Sequence, residues 1–577
     1  MREILCSGQA QSLEFPYPGG MAALCWSPAG ERGELTVSLH YDGAYGMGEK
    51  YNAVNQKGHT AVNEVEEKFC FQGEKTYCPA PFFWTNTGFG LYAATDERTS
   101  FRFGEKAVCA ELPVDCRVVL FSGMPGEIIR DYMDLFGPAK LPPKWAFGPW
   151  ISANHWDSQE KVERAVAQAE EHGFPVCALV AEAWSDEATF YVFRGARYVP
   201  KPNGGAFRLE DFDFSDSPWP DPAGMVQRLH EKGIRFLLWQ IPVYKKQGPD
   251  EPLNAQNELD RADAVARGLC VHNADGSPYT IPEGHWFAGS MIPDFTNPAA
   301  EETWFSKRNY LTEMGIDGFK TDGGEFIYRE DVRFADGSSG RAGKNRYAQE
   351  YTAAYTKHLG SAQALFSRAG YAGQHTTPIH WAGDQQSQNS ELASALRAGL
   401  SAALTGIPFW GFDIGGFAGP LPTLDLYRRA TQMACFVPVM QWHSEPDGGQ
   451  FRELMPGGEG NNERSPWNLA AAYGKPEFVD EMRFWHNLRM ELLPYLYSVA
   501  LDCAEASKPM MRPLVYQWPE DPLVWDCEDE FLLGDSLLVA PLLEENAEKR
   551  AVYLPEGQWI GLFDRRAAAG GQTIVAG

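Results

Sequence analysis

The sequence predicts an α/β protein: a (β/α)8 TIM barrel with an N-terminal β-sandwich before it and a small C-terminal β domain after it. Three observations carry this reading. Short strands broken by turn residues fill the first 140 or so positions, and strand followed by helix then recurs about eight times. Beyond about residue 530, strand patterning returns. The 577 residues exceed a single hydrophobic core and suit two to four domains.

In order along the chain, apolar segments at 35–39, 90–93 and 117–121 alternate with Gly, Pro, Asn and Asp turns, which predicts a sandwich over 1–140. Leu141-Pro142-Pro143 marks the boundary. Strands are then expected at 145–151, 176–180, 234–241, 316–321, 364–368, 379–383, 407–414 and 436–442. Helices are expected at 158–172, 222–232, 301–314, 345–359 and 389–404, so the barrel occupies 141–484. A doubly wound sheet is disfavoured, because no Gly-rich phosphate turn follows the first strand. The remainder, 485–577, reads as a barrel-closing helix to Cys503 followed by strands at 530–541, 551–554 and 558–563.

Composition narrows the function. With 44% hydrophobic and 22% charged residues the chain reads as a soluble globular protein. A net charge of −27 opposes nucleic acid or an anionic membrane as partner. No apolar run of about 18 residues exists to span a bilayer, and the start lacks a signal-peptide pattern. Eleven scattered Cys contain no CxxC pair, so neither a zinc site nor a disulfide framework is indicated, and a cytoplasmic setting is expected. No cofactor or metal is called for. The 13% aromatic content, with 18 Trp, suits sugar stacking as well as ordinary barrel packing.

Barrel enzymes place their chemistry at the C-terminal ends of the strands. Those ends carry Glu182, Trp239, Lys320 with Asp322, Arg368, Trp381 with Asp384, Asp413 and His443. Each has a structural use when taken alone: an Asp after a strand caps helices, a Lys pairs with an acid, and a strand Trp packs. Their recurrence at successive strand ends points instead to a polar sugar pocket. Asp322 and Asp384 lie in the glycine-rich turns TDGGE and WAGDQ, where backbone and ligand approach closely. Two carboxylates across a cleft are what glycosidic bond cleavage requires, one attacking the anomeric carbon and the other protonating the leaving oxygen. The lack of an HxH or His cluster at strand ends argues against a metal-dependent hydrolase. Retention of both acids argues against a non-catalytic carbohydrate-binding barrel.

DGFKTDGGE (317–325) resembles the nucleophile motif of glycoside hydrolase family 31, in its Lys-Thr-Asp-x-Gly-Glu branch, and HWAGDQ (380–385) is similar to its acid/base motif. LPPKWAFG (141–148), PDFTNP (293–298), SRAG (367–370), FWGFDIGGF (409–417), LLPYLY (492–497) and MRPL (511–514) follow the family's landmarks in order. The resemblance implies a retaining α-glycosidase, with Asp322 as nucleophile and Asp384 as acid/base. It implies that Glu182, Trp239, Lys320, Arg368, Trp381, Asp413 and His443 line the glycone subsite, with Glu325 and Trp410 in support. Lys320 and Arg368 are expected to keep Asp322 anionic. Asp384, beside Trp381, is expected to be held protonated.

The leading expectation is hydrolysis of terminal α-linked glucose or a related sugar from oligosaccharides. An α-xylosidase, to which Lys320 points, and an α-transglycosylase are the alternatives. A sulfoquinovosidase is a minor one, with Arg194 and Arg197 as weak candidates for a sulfonate clamp. A homo-oligomer is compatible with the resemblance. Three features depart from the family pattern. Glu182 stands where Asp is usual, and its extra methylene moves the carboxylate by about 1.5 Å. Few residues precede GMGEKY (46–51), which leaves a shortened sandwich, and the chain stops at Gly577 before a further distal β domain.

Overall fold

The computed structural model describes residues 1–202, 204–444 and 462–577. Eleven strands form two antiparallel sheets at the N-terminal end. One runs Arg2–Cys6, Cys116–Ser122, Phe89–Ala94, Pro79–Thr85, Ala44–Gly48; the other runs Gln11–Tyr17, Gly20–Ala29, Arg32–Ser38, Ala107–Pro113, Thr99–Phe103, Thr60–Asn63. Along Gly20–Ala29, Ala22, Leu24 and Trp26 are buried while Ala23, Cys25 and Ser27 are exposed, the period-two pattern of a half-solvated strand. Pro79–Thr85 shows no alternation and is buried throughout. Its Phe83 joins the sandwich core, whereas Phe82 and Trp84 belong to the barrel core. The Trp84 indole donates to the Leu404 carbonyl at 3.0 Å, so this strand is covered on its second face by the barrel helix Asn389–Leu404.

The closed eight-stranded parallel barrel comprises β1 (Pro149–Ala153), β2 (Ala178–Ala181), β3 (Arg235–Gln240), β4 (Gly318–Thr321), β5 (Ala364–Ser367), β6 (Ile379–Trp381), β7 (Trp410–Asp413) and β8 (Val439–Ser444). The strands are almost wholly buried, as expected when helices cover one face and the lumen the other. Two expectations shift. The segment expected to open β1 is a 3₁₀ turn, Lys144–Phe147, entered from Pro143 before the strand begins at Pro149. The helix expected over 301–314 is two, Pro298–Ser306 and Asn309–Glu313. At the break, Arg308 turns inward with its guanidinium 3.7 Å from the Trp304 ring.

After the barrel, the helix Glu477–Ala506 carries Arg489, fully buried, to the bottom of the barrel. It donates to the carbonyls of Phe147 (2.7 Å), Cys435 (2.9 Å) and Val437 (2.6 Å), which precede β1 and β8. Three small antiparallel sheets between Met511 and Ala576 follow. Among the described residues, no helix is long and apolar enough to cross a membrane.

Candidate active site

The turn after β4 fixes Asp322 from several directions. Its amide donates to the Gln240 carbonyl at 2.9 Å. Oδ1 accepts from the Gly323 amide (2.8 Å) and lies 3.1 Å from Arg368 Nη1, while Oδ2 accepts from the Trp239 indole at 3.0 Å. Gly323 sits at φ +69, and a Cβ there would come within 2.6 Å of Ile241, so only glycine permits the turn.

Asp384 follows β6 after Gly383 (φ +69), where a Cβ would meet the Tyr77 ring at 2.2 Å. Its Oδ2 lies 3.7 Å from the same Arg368 Nη1. Both carboxylates therefore approach one nitrogen, which keeps them near each other on one side of the cleft, as a retaining pair requires. Burial pushes Asp384 up to about 8; the neighbouring Asp322 and Asp413 add to this, and Arg368 and Lys320 oppose it. The ring of Trp381 faces Lys320 instead, with Nζ 4.7 Å from its centroid.

Arg368, 2% exposed, is the hub. Nε and Nη2 reach the two oxygens of Glu325 at 3.2 and 3.1 Å, leaving Nη1 for the two aspartates. Tyr77 and Trp286 cover its faces at 4.6 and 5.6 Å. Burial disfavours its charge, but Asp322 and Glu325 more than offset that, and its pKa lies well above the ordinary value. Burial likewise raises Glu325 against the pull of Arg368.

Lys320 serves two carboxylates. It reaches Glu182, with Nζ 2.5 Å from Oε1, and Asp322 acts on it only at longer range. Burial works against its ammonium, yet Glu182, Asp413 and Asp322 together raise its pKa. Burial also raises Glu182, and Lys320 opposes the shift. The extra methylene of Glu182 thus ends in an ion pair across the barrel mouth.

His443 Nδ1 and Ser152 Oγ share a 2.7 Å hydrogen bond, and burial pushes the imidazole down to about 3, so it is neutral. Asp413 Oδ1 accepts from Gln441 Nε2 at 2.7 Å. Three buried atoms here, Trp381 Nε1, Asp413 Oδ2 and His443 Nε2, have no hydrogen-bond partner among the described residues. Such atoms are costly unless a polar ligand meets them.

Trp410 lies outside the pocket. On the outward side of β7, its indole donates to Glu49 Oε1 at 2.8 Å. Arg197 is engaged by Asp213 and Asp216 in exposed loop pairs, and the half-buried Arg194 pairs with the half-buried Asp157. The structure adds residues that sequence reading missed. Tyr77 and Trp286 sandwich Arg368, and Phe417 lies 5.1 Å from the His443 ring. Tyr51 donates to the Ala382 carbonyl at 2.8 Å, bracing the acid loop from the sandwich. GMGEKY, which contains Tyr51, and FWGFDIGGF, which ends at Phe417, gave the prior signal.

Models of the glycosyl hydrolases family 31 TIM-barrel domain and of the family's C-terminal domain match residues 139–499 and 507–576. The chain is 36% identical to an isomaltosyltransferase of Sporosarcina globispora, over 92% of this chain and 49% of that protein. It is also 36% identical to a 1,3-alpha-isomaltosidase of Kribbella flavida, over 94% of this chain and 76% of the other. A solved structure of a cycloalternan-degrading enzyme from Trueperella pyogenes, in complex with a covalent intermediate, superposes with a TM-score of 0.90 at 35% identity. It covers 98% of this chain and 80% of that one. The chain thus spans about half the length of the transferase and four-fifths of the solved relative.

Proposed function

The chain belongs to glycoside hydrolase family 31, and from that membership we propose that it is a retaining α-glycosidase acting on α-glucosyl oligosaccharides. The observation that carries the reading is the single guanidinium nitrogen shared by two carboxylates, one of which burial has raised into the neutral range. In the first step Asp322 attacks the anomeric carbon as Asp384 gives its proton to the leaving oxygen, and a β-linked glycosyl ester forms. Asp384, now a carboxylate, takes a proton from water or from a sugar hydroxyl, whose oxygen displaces Asp322. Two inversions restore the α configuration.

Trp381, Asp413 and His443 meet hydroxyls of the glycone through the atoms they leave unpaired, and the Glu182–Lys320 pair borders the same sugar. The two relatives named for isomaltosyl chemistry support an isomaltosyl unit as glycone, and the transferase supports a sugar as second-step acceptor. We place the enzyme in the cytoplasm, in line with eleven free cysteines, and keep 1–140, 141–484 and 485–577 as its functional units.

The test is a donor panel of p-nitrophenyl α-glucoside, α-isomaltoside, α-xyloside and α-sulfoquinovoside, with product anomers read by NMR. Release from the glucoside or isomaltoside with first-formed α product is expected. First-formed β product would end the retaining assignment, and turnover of the xyloside or sulfoquinovoside alone would end the glucosyl one.

A further inference from the structure

Behind the nucleophile lies a buried polar cluster that the mechanism above does not use. Gln240 ends β3 and is 0% exposed, and Arg308 is 1% exposed. Gln240 Oε1 accepts from Arg308 Nε at 2.7 Å and from the Tyr355 hydroxyl at 2.8 Å. The Tyr355 oxygen itself accepts from the Trp304 indole at 3.0 Å, which turns its hydrogen toward Gln240. Gln240 Nε2 donates to the carbonyls of Phe190 (2.8 Å) and Trp239 (2.9 Å). A flipped amide would set its NH2 against two donors and its oxygen against two carbonyls. One orientation is therefore enforced, with both donors and both acceptor positions of the amide filled.

Those contacts lead to the reacting carboxylate. The Gln240 carbonyl accepts the amide hydrogen of Asp322, and the Trp239 indole donates to Asp322 Oδ2. Phe190 packs its ring 5.8 Å from that of Trp239, and its backbone sits at φ +57, a conformation that needs outside support. The Gln240 amide supplies it. A charged Arg308 buried only to fill space would be poorly chosen, since an apolar residue of similar shape is often no less stable. Here Arg308 stacks on Trp304 and aims Nε at Gln240.

We propose that Gln240, oriented by Arg308, is a positioning residue that sets Trp239 and Phe190 so that Asp322 is aimed at the anomeric carbon. This rests on the reading of Asp322 as nucleophile.

Gln240→Met keeps the shape and removes the amide. Its kcat per active site, counted by titration with a covalent inactivator, should fall about 100-fold with KM within about twofold, since a misplacement near 1 Å is worth that much. The basic limb of its pH profile should move to lower pH, because a displaced Asp322 charge no longer helps to raise Asp384. Wild-type kcat per titrated site with an unmoved limb, whatever the change in Tm, would overturn the proposal. If Gln240→Met does not fold, Gln240→Glu takes its place, since it keeps the acceptor for Arg308 and sets an oxygen against the two carbonyls. A loss in kcat of at least about tenfold is expected, and wild-type kcat would again overturn it. Asp322→Asn, assayed alongside, separates the two ideas. Activity there removes the nucleophile assignment, whereas inactivity there with full activity at Gln240→Met removes only the positioning role.

Discussion

Between β3 and β5 the protein meets its own polar groups. Asp322 accepts from Gly323 and Trp239 and pairs with Arg368, and Arg368 fills both oxygens of Glu325. Between β6 and β8 it does so only in part: Gln441 meets Asp413 Oδ1 and Ser152 meets His443 Nδ1. Trp381 Nε1, Asp413 Oδ2 and His443 Nε2 stay buried with no hydrogen-bond partner among the described residues. The first side is preorganised before a substrate arrives, as electrostatic catalysis requires. The second is left for hydroxyls to complete, which is how a site rejects a ligand lacking them. Substitutions on the two sides should therefore part ways: those on the first hurt both stability and rate, and those on the second hurt activity far more than stability.

The largest effect is expected at Asp322→Asn, with kcat lower by about four orders of magnitude and an unchanged circular dichroism spectrum. The matching rescue is chemical: azide added to Asp322→Gly should yield a β-glycosyl azide, and an α product would reverse the stereochemical argument. Next is Arg368→Met, which strands Glu325 and Asp322. A loss of about 10²–10³ in kcat should accompany destabilisation of about 3–5 kcal/mol in urea melts. A melt like the wild type would mean that the reacting side is not held by its ion pairs.

Asp413→Ala is the contrasting case. kcat/KM should drop about 10–100-fold, in line with about 1–3 kcal/mol for an unmet hydroxyl, while the sugar-free Tm falls far less than in Arg368→Met, since the Gln441 amide is the one group left without its acceptor. A large fall in Tm would dissolve the contrast between the two sides. A pH profile sharpens it further. Asp384 must hold its proton to act as the acid, so kcat/KM should decline as pH rises through about 8. A basic limb starting near pH 5 would show that burial does not govern this carboxyl.

How much of this was legible in the sequence depended on distance along the chain. Each barrel strand, Asp322, Asp384 and their glycines lie in compact runs whose spacing declares them. Arg368 was legible as a residue, yet its hub geometry was not, because Tyr77, Trp286 and Glu325 come from three separate loops. The Glu182–Lys320 pair joins strands β2 and β4, and no local pattern marks a cross-barrel contact. The break in the helix expected over 301–314 was hidden because Arg308 suits an exposed helix face by propensity. The Trp304 ring and carbonyl, the Tyr191 ring and the Gln240 amide draw it inward.

The smallest effect is expected where the sandwich meets the barrel, and its sign is informative. Burial pushes Glu49 up to about 7 from 4.5, against the hydrogen bond from Trp410, and its Oε2 has no partner among the described residues. A carboxyl whose folded pKa is raised binds its proton more tightly in the native state. Its contribution is therefore whole below the unfolded pKa and is lost as pH rises through the folded one. Glu49→Gln keeps an acceptor for the Trp410 indole and is neutral at every pH. Its Tm should match the wild type near pH 4.5 and exceed it increasingly toward pH 8, with activity within about twofold at neutral pH. Thermal melts across that range decide it. A mutant that instead loses ground as pH rises would show that the Trp410 bond needs the charged carboxylate, and that this joint is held as the reacting side is.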